Sequence, residues 1–180
     1  MNAYHFLQLM PLIAMLLWAA IEDALTRKIR NWLTASMVLT GFSQTLIGHA
    51  PIGPLNSLLG IVLGFSLLLV LFKIGAVGGG DVKIVAGVGA WVGAIAVFKV
   101  FCAEAVIGML IVLLQAAVQG RLRVLTRNTA ALALSLVHVK EVGLQHTTMT
   151  GQSCQSVHGR LPYAVPVLLA VLFLAVANSL

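Results

Sequence analysis

A chain of 180 residues with 60% hydrophobic and 9% charged side chains, and a mean hydropathy of +1.03, cannot hide its apolar surface inside a water-soluble core. Its net charge of +6 comes from basic residues scattered between apolar runs, with no aromatic-interleaved basic patch, so nucleic acid is excluded as a partner. What remains is an all-α polytopic membrane protein whose first partner is the lipid bilayer.

The first apolar run covers residues 4–21. It has no basic region before it and is longer than the core of a secretion signal, so it is predicted to be a retained span. Glu22 and Asp23 close it, and Arg27, Lys28 and Arg30 follow. Further runs cover 33–47, 55–74, 84–98, 100–118 and 161–180, which gives six predicted transmembrane helices. About 20 residues cross a bilayer as a helix, so the second and fourth runs are short. Helices are required because lipid offers no partner to free backbone groups, and nothing alternates as barrel strands do. Pro51 and Pro54 mark one turn, and the stretch from Gly75 to Gly80 interrupts the third and fourth runs. The whole of 1–180 reads as one membrane-embedded domain, with 119–160 as a loop within it.

In that loop Leu122, Leu125, Leu132, Leu136 and Val139 recur at helical spacing among arginines. The pattern suits either an amphipathic helix on the leaflet or a partly ordered basic loop. Residues 145–159 are polar and rich in Ser, Thr and Gln.

Orientation follows from charge. Arg27, Lys28, Arg30, Lys73, Lys83, Arg121, Arg123, Arg127, Lys140 and Arg160 fall in alternate connections, leaving Lys99 for the opposite face. The positive-inside rule then places the basic connections, and the 119–160 loop, in the cytoplasm. The end of the first span and the start of the fourth share that face. Asp23 and Asp81, 58 positions apart, can meet there.

An aspartate beside hydrocarbon is costly, and Asp81 stands in Val77-Gly78-Gly79-Gly80-Asp81-Val82-Lys83 at the head of an apolar run. Two carboxylates that share a proton can hydrolyse a peptide, one activating water while the other protonates the carbonyl. Structural roles are open to each residue alone. Asp23 could pair with Arg27 one turn on, and Asp81 could be the N-cap of its helix. Glu22 reads as a headgroup-facing residue. Glu104 is placed toward the outer side, paired with Lys99 or a polar group in the bundle. His138, His146, Cys154 and His158 have spacings that match no common zinc pattern, so no metal site is expected. Cys102 and Cys154 are not expected to pair. The glycine joint is not a phosphate-binding loop, and no serine-nucleophile elbow is present.

Gly78-Gly79-Gly80-Asp81 matches the GxGD pattern of membrane aspartyl proteases, and with Val82-Lys83 it resembles the type IV prepilin peptidases. The run Ala86-Gly87-Val88-Gly89-Ala90-Trp91-Val92-Gly93 is similar to the segment that follows in that family. Asp23 through Ile29-Arg30-Asn31 resembles its first catalytic motif, in which Arg30 stands where the family has proline. Leu161-Pro162-Tyr163 resembles the family's proline–tyrosine start to the last span. The resemblance implies a catalytic pair of Asp23 and Asp81. It gives a substrate-approach or loop-shaping role to Gly78, Gly79, Gly80, Lys83 and Asn31, and implies no cofactor. The compact size, without a cysteine-rich insertion, is similar to the peptidase-only members that serve Flp/Tad pili. Substrates would be prepilins and pseudopilins, cleaved at the cytoplasmic face of the bacterial inner membrane. From the residues alone, a small ion-coupled transporter or a non-catalytic pilus-assembly subunit stays open.

Overall fold

The computed structural model describes residues 3–48, 52–73, 77–120 and 163–177. Five helices follow one another: α1 Ala3–Thr26, α2 Asn31–Ile47, α3 Pro54–Lys73, α4 Gly79–Val118 and α5 Ala164–Val176. Three of them, α1, α3 and α4, carry stretches long and apolar enough to cross a membrane. With 17 and 13 residues, α2 and α5 are shorter. The expected leaflet helix and polar loop lie, from residue 121 on, outside the described residues.

The chain's own chemistry sets the helix ends. α1 runs five residues past the predicted end at Ile21, because Thr26 turns its hydroxyl back to the Glu22 carbonyl at 2.8 Å. Arg27 then adopts a positive φ of 54° while its N–H donates to the Asp23 carbonyl at 2.9 Å, and the helix stops. Asp23 therefore lies inside the last turn of α1, not beyond it. α2 closes on Gly48, whose φ of 75° is the left-handed conformation usual after a helix. Pro54 opens α3 at the position where a missing N–H costs nothing.

The boundary predicted at Lys99 is not where the chain turns. The helix passes through Lys99, and the break falls at Gly93, with φ 82° and ψ 179°. That backbone region is open essentially to glycine alone. The Asn56 side-chain oxygen accepts the Ala94 N–H at 3.1 Å, which caps the helix restarting beyond the break. Residues 79–92 and 94–118 thus form two arms. Asp81 lies 12 positions before the break and Glu104 lies 11 after it. A straight helix would hold them about 35 Å apart at 1.5 Å per residue, yet Glu104 accepts a hydrogen bond from Tyr163 while the next residue, Ala164, donates to Asp23 at the Asp81 end of the bundle. The second arm therefore folds back beside the first and returns Glu104 to the level of Asp81.

Close helix packing fixes the first arm. The α3 backbone at Gly60 meets the α4 backbone at Gly89 so tightly that no Cβ fits on either. Gly64 lies against Val85, and the Ser57 hydroxyl donates to the Ala90 carbonyl at 2.7 Å. On the other side the Trp91 indole N–H donates to the Met37 carbonyl at 2.9 Å, its ring covering Gly41 of α2. Small residues let backbones approach where lipid offers no hydrophobic drive between helices. A single core joins all five helices, with Leu12 and Leu16 of α1, Met37 of α2 and Leu68 of α3 fully buried. Val88 and Val97 of α4 and Val167 and Val171 of α5 are fully buried beside them.

Candidate active site

Asp23 is 8% exposed, an uncommon setting for a carboxylate, and it has a partner of an uncommon kind. Its Oδ2 accepts the backbone N–H of Ala164 at 3.2 Å, from the first residue of α5. The opening N–H groups of a helix have no partner within it and attract anions. The i+4 pairing with Arg27 considered from sequence is not the contact this side chain makes. Asp23 is used by the far end of the chain.

Asp81 holds the second end. It is the third residue of α4, and Gly78, not Asp81, is the N-cap. The Asp81 Oδ2 reaches back to accept the Gly78 N–H at 2.8 Å, the acidic half of a capping box. Gly78 is extended, with φ −82° and ψ 156°, so its freedom is not spent on a left-handed turn. Close approach counts at two of the glycines: an added Cβ on Gly78 would lie 3.1 Å from the Asp81 Oδ2, and one on Gly80 would lie 3.2 Å from the Ile29 side chain. Gly79 instead faces Phe72 at the end of α3.

The two carboxylates, 58 positions apart, lie within electrostatic reach of each other. Three contacts bind their surroundings. The Lys83 ammonium donates to the Asn31 side-chain oxygen at 2.8 Å, joining the first turn of α4 to the first residue of α2. Ile29 packs on Gly80. The Arg30 guanidinium meets Glu22 at 2.7 Å, tying the α1–α2 connection back onto α1. Glu22 is thus engaged by Arg30 rather than turned to headgroups. Arg30 itself has φ −69° and ψ 134°, the backbone a proline would impose, so its side chain differs from the family pattern while its conformation does not.

Glu104 was placed toward the far side from sequence, and the fold-back at Gly93 brings it here instead. It is 3% exposed, its Oε1 accepts the Tyr163 hydroxyl at 2.5 Å, and its Oε2 is buried without a partner. A carboxylate inside an apolar run was itself the signal. Its level was hidden because three glycines, Gly87, Gly89 and Gly93, look alike in sequence. Two pack against neighbours, and only Gly93 turns the chain.

Among the described residues no group of three His, Cys, Asp or Glu side chains is placed to hold a metal ion. His138, His146, Cys154 and His158 lie outside the described residues. A model of the type IV leader peptidase family matches residues 10–113, a stretch that contains Asp23, Asp81 and Glu104. No curated protein and no solved structure matches the chain.

Proposed function

The chain belongs to the type IV leader peptidase family, and on that premise we propose that Asp23 and Asp81 form its catalytic aspartyl pair. The observation that carries the reading is their convergence: the Lys83–Asn31 hydrogen bond and the contact of Ile29 with Gly80 bring the start of α4 against the chain leaving α1, so both carboxylates lie at one end of the bundle, within electrostatic range of each other. Each has one oxygen occupied by a backbone N–H, from Ala164 and Gly78 respectively, so Oδ1 of each is the atom proposed to share the proton. One carboxylate takes a proton from water as the water oxygen attacks the scissile carbonyl, and the other gives its proton to the carbonyl oxygen. Collapse of the tetrahedral intermediate then returns a proton to the leaving amine. Which aspartate plays which part is a property of the coupled pair.

The finer reading is that of a compact peptidase acting on Flp-type prepilins and pseudopilins at the cytoplasmic face of the bacterial inner membrane. Six spans are proposed, with the two arms of α4 counted separately, and 119–160 as a cytoplasmic loop of the single domain. Gly78 to Gly80 would admit an extended substrate close to Asp81, since a helical one hides its carbonyls in hydrogen bonds. Lys83 and Asn31 would hold that loop in shape through their mutual hydrogen bond.

Leader removal from a co-expressed Flp-type prepilin tests the reading. Wild type is expected to cleave, and Asp23→Asn and Asp81→Asn, inserted at normal levels, are expected to lose cleavage. Cleavage persisting in either variant removes that residue from the pair. Ion-dependent flux without proteolysis in wild type would support a transporter instead.

A further inference from the structure

Glu104 is the most buried of the described acidic residues, and the reaction proposed above gives it no part. Its surroundings do. Tyr163, which donates to Glu104, immediately precedes Ala164, which donates to Asp23. We propose that Glu104 is a positioning residue of the aspartyl site: by gripping Tyr163 it holds the start of α5 where the Ala164 N–H orients the Asp23 carboxylate. The inference rests on the peptidase reading for its effect on catalysis, but not for the geometry.

The contact that needs support is the one to Asp23. At 3.2 Å it is long for a backbone N–H meeting a carboxylate, where about 2.7–2.9 Å is usual. A single long hydrogen bond does not fix a side chain on its own. The Tyr163–Glu104 bond is the short one, and it lies one residue away along the chain. Tyr163 makes no cap bond to its own helix, so its hydroxyl serves the neighbouring helix alone. Glu104 has no substitute partner, because its second oxygen is buried and unbonded. An added Cβ on Gly108, one turn further along α4, would lie 3.9 Å from the Pro166 ring, so the second arm and the first turn of α5 run close together. The same fold-back brings Glu104 within electrostatic reach of Asp81. One carboxylate is thus linked to Asp23 through the Tyr163–Ala164 peptide, and lies within electrostatic range of Asp81.

The test uses the full chain in membranes, with Glu104→Gln, Glu104→Leu and Tyr163→Phe. Prepilin cleavage gives kcat and KM, and hydrogen exchange followed by mass spectrometry reads the α5 amides. Glu104→Gln keeps an oxygen acceptor for the Tyr163 hydroxyl and is expected to stay within about threefold of wild-type kcat. Glu104→Leu and Tyr163→Phe are expected to lower kcat by about 10–100-fold, the scale of a small misplacement of a reacting group, with KM nearly unchanged. Exchange should quicken at Ala164 and not along the rest of α5. A rise in KM alone, unchanged kcat in both variants, or loosening spread along the whole helix overturns the proposal. Should wild type fail to cleave, the peptidase reading fails, and exchange at Ala164 still decides the positioning. If Glu104→Leu does not accumulate, Tyr163→Phe carries the same comparison.

Discussion

Arg30 shows how a departure from a family pattern can leave the backbone intact. Its φ of −69° is what proline would enforce, and its guanidinium meets Glu22 at 2.7 Å. Arg30 is 65% exposed, but Glu22 is only 11% exposed and its Oε2 is buried without a partner, so removing the guanidinium leaves a largely buried carboxylate unpaired at a cost of about 1–3 kcal/mol. Proline at this position would stabilise through the unfolded chain by about 0.4–1 kcal/mol. The loss outweighs the gain. Arg30→Pro is therefore expected to lower thermal stability by about 1–2 kcal/mol and to keep cleavage. Unchanged stability would show that the Glu22 contact does no more than hold a loop. Asp23 and Asp81 were legible from sequence for a simple reason: charge is rare in so apolar a chain, and each occurrence asks for an explanation. The partner of Asp23 was not legible, because a backbone N–H is carried by nearly every residue type and leaves no mark in sequence.

Helices supply the next scale, and here glycine is the discriminating residue. At Gly89 a Cβ would collide with the backbone of α3 at Gly60, which cannot move aside as a flexible side chain can. Gly89→Ala is expected to cost at least about 2 kcal/mol, within the range for overpacking, and to lower the amount of folded protein recovered from membranes. Gly53→Ala, where nothing lies within 4 Å, is the steric control and should cost less than about 1 kcal/mol, the loss expected at the residue that precedes a helix. Gly93→Ala meets both a forbidden backbone region and the Asn56 amide, so the turn between the arms should fail. Asn56→Ala, which only uncaps Ala94, is expected to cost about 1 kcal/mol in a thermal unfolding measurement. Apolar runs were legible because their lengths follow from bilayer thickness, whereas their ends follow from local hydrogen bonds. Thr26 bonding to Glu22 extended α1 past its predicted end, and Asn56 drew the second boundary to Gly93 from Lys99.

At the scale of the molecule, the site gathers elements remote in sequence. α1 gives Asp23, the first arm of α4 gives Asp81, the second arm gives Glu104, and the entry to α5 gives Tyr163 and the Ala164 N–H. Such an assembly could be foreseen for the two aspartates, since charge counting placed them on one face. The third carboxylate required knowing which glycine turned the chain. The proposed topology makes a prediction at this scale. With the two arms as separate spans, a cysteine at Ile52, between α2 and α3, should react with a reagent added outside, and one at Lys28 should not. The reverse labelling would overturn the proposed orientation.

The hydrogen bond from Ala164 to Asp23 joins positions 141 residues apart. It has a meaning for biosynthesis. Both aspartates leave the ribosome and reach the membrane well before α5 is made, so a partly synthesised chain holds its acidic pair without the amide that orients one member. Under the proposed aspartyl mechanism, competence for cleavage would arrive only when the C-terminal helix docks. On that reading, the order of insertion itself would guard a nascent protease against acting before it is built.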